Sequence, residues 1–192
     1  QTCALPILGV FILFHSGNYL SLMPVEGQNA IFLIIATSTI LLPLSVIPFF
    51  MYQNLFKSLQ MSEKHERLAP YAVSLIFYLF GFYILQRVGA PRSLLLFVLG
   101  GIFCIFISLL VTIKWKISAH MIALGGLTGL LLSIAVNLMA DVGGWLALVL
   151  LFSGLAGSSR MALKEHTSGQ VFTGFLVGLS VMVLTFLVSN RL

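Results

Sequence analysis

The stretch Ser158-Ser-Arg-Met-Ala-Leu-Lys-Glu-His-Thr-Ser-Gly-Gln170 sets a guanidinium, an ammonium, a carboxylate, an imidazole and an amide between two apolar runs. A second polar segment, Lys114-Trp-Lys-Ile-Ser-Ala-His120, precedes it by one pair of runs. In a chain that is 59% hydrophobic and 8% charged, such segments mark where a bundle opens to water. His120 and His166 each begin an apolar run, so each is placed near a helix N-terminus, whose free N–H groups and positive dipole end favour an anion and disfavour an imidazolium. A neutral histidine there can attack an electrophile, and a second can donate a proton to a leaving group. Arg160 offers planar, bidentate contact to a phosphate, and Ser118 adds a hydroxyl. Gln170 follows His166 by one helical turn on the same face, so its amide can fix the ring. The plainer reading of 158–170 is a loop with a basic bias.

These groups have to be positioned by helices. A mean hydropathy of +1.10 and several apolar runs of near-span length predict an integral membrane protein. Runs of this length without strict alternation have to be helices rather than barrel strands, because the backbone must satisfy its own hydrogen bonds in lipid. The predicted fold class is all-α: one membrane domain over 1–192, a polytopic bundle of about six to seven transmembrane helices. A bacterial inner (cytoplasmic) membrane is the expected location. The net charge of +5 is spread over short loops, which suits contact with membrane lipids or an anionic substrate; no basic tail or stripe points to nucleic acid. The two cysteines predict no disulfide. Four histidines and five acids show neither CxxC nor HExxH spacing, so no metal and no cofactor is expected. Residues Gln1-Thr-Cys-Ala-Leu-Pro-Ile7 match the in-frame translation of a common sequencing adapter and are expected to be foreign to the natural chain.

The first run, 5–23, is broken by His15-Ser-Gly-Asn18 and is predicted to be a clipped or tilted span. Further spans are predicted at 30–52, with Pro43 and Pro48 bending its end, and at 71–86, 93–113, 121–140, 145–157 (a short one) and 171–189. Alternation then puts the loops 53–69, 114–120 and 158–170 on one face. That face carries seven of the ten basic residues. The positive-inside rule would make it cytoplasmic, but an anion-binding cluster gives the same count. Gly125, Gly126 and Gly129, Gly154 and Gly157, and Gly174 with Gly178 predict close packing of the last three spans, which would bring the two polar segments together.

With these residues in view, the chain resembles the type 2 phosphatidic acid phosphatase superfamily, whose motifs run K-x6-R-P, P-S-G-H and S-R-x5-H-x3-D. Ser159-Arg160 and His166 stand at the spacing of the third motif, and Ser118 and His120 match the second. The resemblance covers roughly 57 to the C-terminus. It implies His166 as nucleophile, His120 as general acid, and Arg160 and Ser118 as phosphate ligands, with Lys64 and Arg67 supplying the first motif. Three features depart from the pattern. Ile117 and Ala119 replace Pro and Gly. Lys64 lies three residues before Arg67, and Pro70 three after it. Gln170 stands in place of Asp. In serine proteases, replacing the carboxylate behind a catalytic histidine by an amide costs about 10⁴ in rate, partly through a wrong tautomer.

The resulting expectation is a hydrolase of a lipid phosphate or diphosphate monoester, working through a phosphohistidine. The alternative is a catalytically impaired relative that binds a lipid phosphate or a partner protein without turnover. A transporter is poorly supported: away from the motif face the polar groups are Asn137 and Asp141, and no inverted repeat is visible. The basic stretch from Lys57 to Arg67 reads equally as a phosphate-binding loop or as a juxtamembrane segment drawn to anionic lipid.

Overall fold

The computed structural model describes residues 5–52 and 68–189. Lys64 and Arg67, the expected first-motif cations, lie outside the described residues. The helices are α1 (Leu5–His15), α2 (Val25–Ala36), α3 (Leu42–Tyr52), α4 (Leu68–Arg87), α5 (Arg92–Lys114), α6 (Ala119–Leu138), α7 (Gly143–Ala162) and α8 (Ser168–Ser189). No strand occurs among the described residues. Among the described residues six helices are long and apolar enough to cross a membrane: Val25–Val46, which joins α2 to α3, and each of α4 to α8. The protein is an all-α membrane bundle.

The expected first span, 5–23, is corrected at its far end: α1 closes at His15. α1 is a plug: Val10, Ile12 and Leu13 are fully buried and share one apolar core with Leu130, Leu131 and Ile134 of α6. The Ser-Gly-Asn turn that ends it is held by Asn18, whose amide donates to Leu13 O at 2.9 Å and accepts from Leu20 N at 2.8 Å.

α2 passes into α3 through a π-helical turn, Thr37–Leu41. Pro43 has no N–H to give the carbonyl four residues back, and the wider turn accommodates that loss. The short sixth span expected at 145–157 is a full 20-residue helix, α7, running to Ala162. Gly143 and Gly144 extend its start, and Ser158–Ala162, read as loop, forms its last turn. The polar stretch is therefore two helix ends joined by a few residues.

α6 is the central helix, with 67% of its span window buried against 11–39% for the other five. Its closest partner is α8. A Cβ at Gly125 would overlap Phe175 O, and one at Gly178 would overlap Ile122 O. At these two sites the helices touch backbone to backbone, so only glycine fits. Gly154 is different: nothing lies within 4 Å of the position its Cβ would take, so it is not a close-approach residue. Gly178→Ala is expected to lower stability by about 3 kcal/mol, through overpacking against a backbone that cannot yield. Gly154→Ala is expected to change it by less than about 1 kcal/mol. Unfolding of the purified protein in mixed micelles checks both.

The two ends of the bundle are identified by side chains. At one end Arg92, which begins α5, donates to the hydroxyl and carbonyl of Ser189, which ends α8. At the other, Lys116 Nζ lies 3.7 Å from Glu165 Oε2, tying the α5–α6 connection to the α7–α8 connection.

Candidate functional site

Arg160 belongs to the last turn of α7, and its backbone closes that helix. Lys164 takes the left-handed conformation at φ 55°. Glu165 N donates to Arg160 O at 3.1 Å, and Lys164 N to Met161 O at 3.0 Å. This pair of bonds is a Schellman stop, here with lysine where glycine is usual. His166 N also reaches Arg160 O, at 3.3 Å. The five residues between Arg160 and His166 are thus the length of chain that ends one helix and reverses into the next.

Thr167 then caps α8. Gln170 N donates to Thr167 Oγ1 at 3.4 Å, and Gln170 Oε1 accepts from Thr167 N at 3.1 Å. This is a capping box, Thr-x-x-Gln. It bears directly on His166. A backbone N–H can only donate, so the amide end that meets Thr167 N is the oxygen. The same oxygen lies 3.1 Å from His166 Nδ1 and can only accept there. Nδ1 therefore carries a proton in this arrangement, and in the neutral ring the lone pair is on Nε2. His166 is buried, at 8% exposure. The sequence reading paired Gln170 with the ring but missed Thr167, although the Thr-x-x-Gln spacing signals the cap.

Ser118 occupies the N-cap position of α6 without making the cap bond. Its hydroxyl is fully buried and has no hydrogen-bond partner; Thr112 is the other residue with such an atom among those described. An unsatisfied buried hydroxyl costs about 1–3 kcal/mol. α8 packs close to the Ser118 backbone, since a Cβ at Gly174 would lie 2.9 Å from Ser118 O. The two departures beside it have physical roles here: Ile117 is buried in a small apolar cluster with Cys104 and Ile122, and Ala119 lines a partly open pocket between α4, α5 and α6.

Arg160 Nη2 lies 3.0 Å from His120 Nε2, joining residues 40 positions apart. A guanidinium has no acceptor, so His120 Nε2 is the acceptor and is unprotonated in this arrangement. The Glu165 carboxylate is paired with Lys116. Trp115 closes the same corner, 3.9 Å from the Cβ position of Gly169. The geometry thus draws Arg160 onto His120, sets Ser118 one residue from His120, and fixes His166 on Gln170. Among the described residues no three His, Cys, Asp or Glu side chains group as a metal site. The chain matches no known family, no curated protein and no solved structure in comparisons with each.

Proposed function

We propose that the protein is a membrane-embedded phosphohydrolase acting on a phosphate or diphosphate monoester of a lipid, with a bacterial cytoplasmic membrane as its location. The observation that carries this reading is the 3.0 Å contact of Arg160 with His120, beside the unpartnered Ser118 hydroxyl at the N-terminus of α6. A phosphate at that point would meet a guanidinium, a hydroxyl and free helix N–H groups, the donor set an anion requires. The resemblance to the type 2 phosphatidic acid phosphatase superfamily points the same way.

The roles that the resemblance implies give these steps. His166 Nε2 attacks phosphorus; an N–P bond forms and the P–O bond to the lipid breaks. The leaving oxygen takes a proton from His120. Water then attacks the phosphohistidine, giving a proton back to His120, and the N–P bond breaks to release phosphate. His120 Nε2 carries no proton while it accepts from Arg160, so the incoming phosphate has to draw Arg160 away and Nε2 has to take up a proton from water before it acts as acid.

Two features favour a second reading, binding without turnover: His166 is backed by a neutral amide rather than a carboxylate, and His120 Nε2 is engaged by Arg160 at rest. Phosphate release from a panel of lipid phosphates and diphosphates by the detergent-purified protein separates the two. Release above the protein-free rate is expected. Tight binding with no release on any member of the panel would give the binding reading the lead.

A further inference from the structure

Ser108, Thr128, Ser133 and Ser153, buried inside α5, α6 and α7, each donate to the carbonyl four residues back, at 2.7 to 2.9 Å. That local bond is how a hydroxyl is satisfied inside a membrane helix. Thr112, in the last turn of α5, does not make it. Its hydroxyl is buried at 1% exposure and has no hydrogen-bond partner, a state it shares among the described residues with Ser118 alone. The fold sets these two hydroxyls at one level. Cys104, Ser108 and Thr112 fall at steps of four on one buried side of α5, and Ser118, Ile122 and Gly126 do the same at the start of α6. Cys104 Sγ lies 3.9 Å from the Cβ position of Gly126. The helices run antiparallel through the short reversal at 115–118, so eight residues on from Cys104 and eight back from Gly126, a rise of about 12 Å on each, lead to Thr112 and Ser118.

We infer that Thr112 and Ser118 act as a pair, and that Thr112 is a further ligand of the substrate phosphate. The inference rests on the phosphate site of the phosphohydrolase reading, though not on turnover. Two neutral hydroxyls, each with a proton to give and neither with a carbonyl to receive it, suit an anion with several acceptor oxygens. Beside them lie the start of α6, with its free N–H groups, and the Arg160 guanidinium on His120. Neither hydroxyl is reached from outside in this structure, so the phosphate enters as the reversal at 115–118 lifts. The tie that has to yield is Lys116 to Glu165, a partly exposed ion pair at 3.7 Å, of the kind that contributes little to stability. Two unpaired hydroxyls weaken the resting fold, and phosphate binding removes that penalty.

The test is binding of dodecyl phosphate, phosphate release from it, and thermal unfolding, for the full chain in phosphatidylcholine nanodiscs. Thr112→Val keeps the shape of the side chain and removes the hydroxyl. It is expected to weaken dodecyl phosphate binding by at least about 10-fold, the loss of one hydrogen bond to a charged group, while the melting temperature rises by roughly 2–4 °C. Thr112→Ser keeps the hydroxyl and should bind within about 2-fold of wild type. A residue that merely packs would move affinity and melting temperature in the same direction; opposite movement, with binding restored in Thr112→Ser, is the signature of a ligand hydroxyl. Unchanged binding in Thr112→Val overturns the inference. A lower melting temperature or failure to fold in that variant does so as well, since either means that the hydroxyl has a partner in the resting fold. Equal weakening in both variants overturns it too, because the methyl group would then be at work. Phosphate release by wild type with unchanged binding in Thr112→Val leaves the phosphohydrolase reading in place without this inference. Weakened binding in Thr112→Val with no release by wild type leaves this inference and removes that reading. Failure of wild type to bind dodecyl phosphate removes both.

Discussion

Gln170→Glu is expected to raise the rate of phosphohistidine formation by roughly 10²-fold. Glutamate keeps the length of the side chain, so its carboxylate can accept from both Thr167 N and His166 Nδ1, as the amide oxygen does at 3.1 Å for each. The capping box is preserved, since glutamate is as suitable as glutamine at its third position. What changes is charge. As the N–P bond forms, the imidazole becomes cationic, and a carboxylate behind it stabilises that cation where an amide cannot. The full carboxylate-to-amide penalty of about 10⁴ seen in serine proteases includes a wrong tautomer. Here the amide oxygen already holds the right tautomer, so only the electrostatic part is available to recover. Aspartate is one methylene shorter and is expected to reach one of the two donors rather than both, giving a smaller gain. Single-turnover kinetics on a lipid phosphate, with all three side chains at position 170, would order them glutamate, aspartate, glutamine. A glutamate variant no faster than wild type would mean that no charge develops on His166.

His166→Ala is expected to reduce phosphate release to the protein-free rate, a loss of at least about 10⁴-fold. Removing a nucleophile removes the covalent route entirely, and the losses for such residues are the largest single-site effects in catalysis. The fold should survive, because the elements around the ring are held by backbone bonds: the Schellman stop at Lys164 and the exchange between Thr167 and Gln170 do not use the imidazole. Retained binding of a lipid phosphate by the variant would show that the site is intact and only the chemistry is gone. Equal release by wild type and His166→Ala would move the nucleophile elsewhere and overturn the assignment.

Much of the architecture was legible in the sequence because membrane helices obey one strong constraint. Apolar length and the requirement for internal hydrogen bonding placed α4, α5, α6 and α8 within a few residues of their observed limits. Composition could not tell that the first helix closes at His15 and packs into the core rather than running on to 23. The burial of Val10, Ile12 and Leu13 is decided by α6, far away in sequence. The end of α7 was misjudged for a related reason. Ser158, Ser159 and Arg160 are polar, and polarity reads as loop until the helix is seen to carry them to the surface.

For the candidate site, residue types and spacing by themselves determined which side chains stand near helix ends on one face: Ser118, His120, Arg160, His166 and Gln170. Tertiary structure alone decided how they meet. The closeness of α6 and α8 depends on carbonyls lying where side chains would be, at Gly125 and Gly178, and it sets the Ser118 carbonyl against Gly174 of α8. The tautomer of His166 depends on a backbone N–H that fixes which end of an amide faces it. The contact between Arg160 and His120 depends on two helix ends brought together by packing. A sequence specifies local chemistry through spacing along one chain. Proton positions and long-range contacts are set by what other segments present to those groups in space.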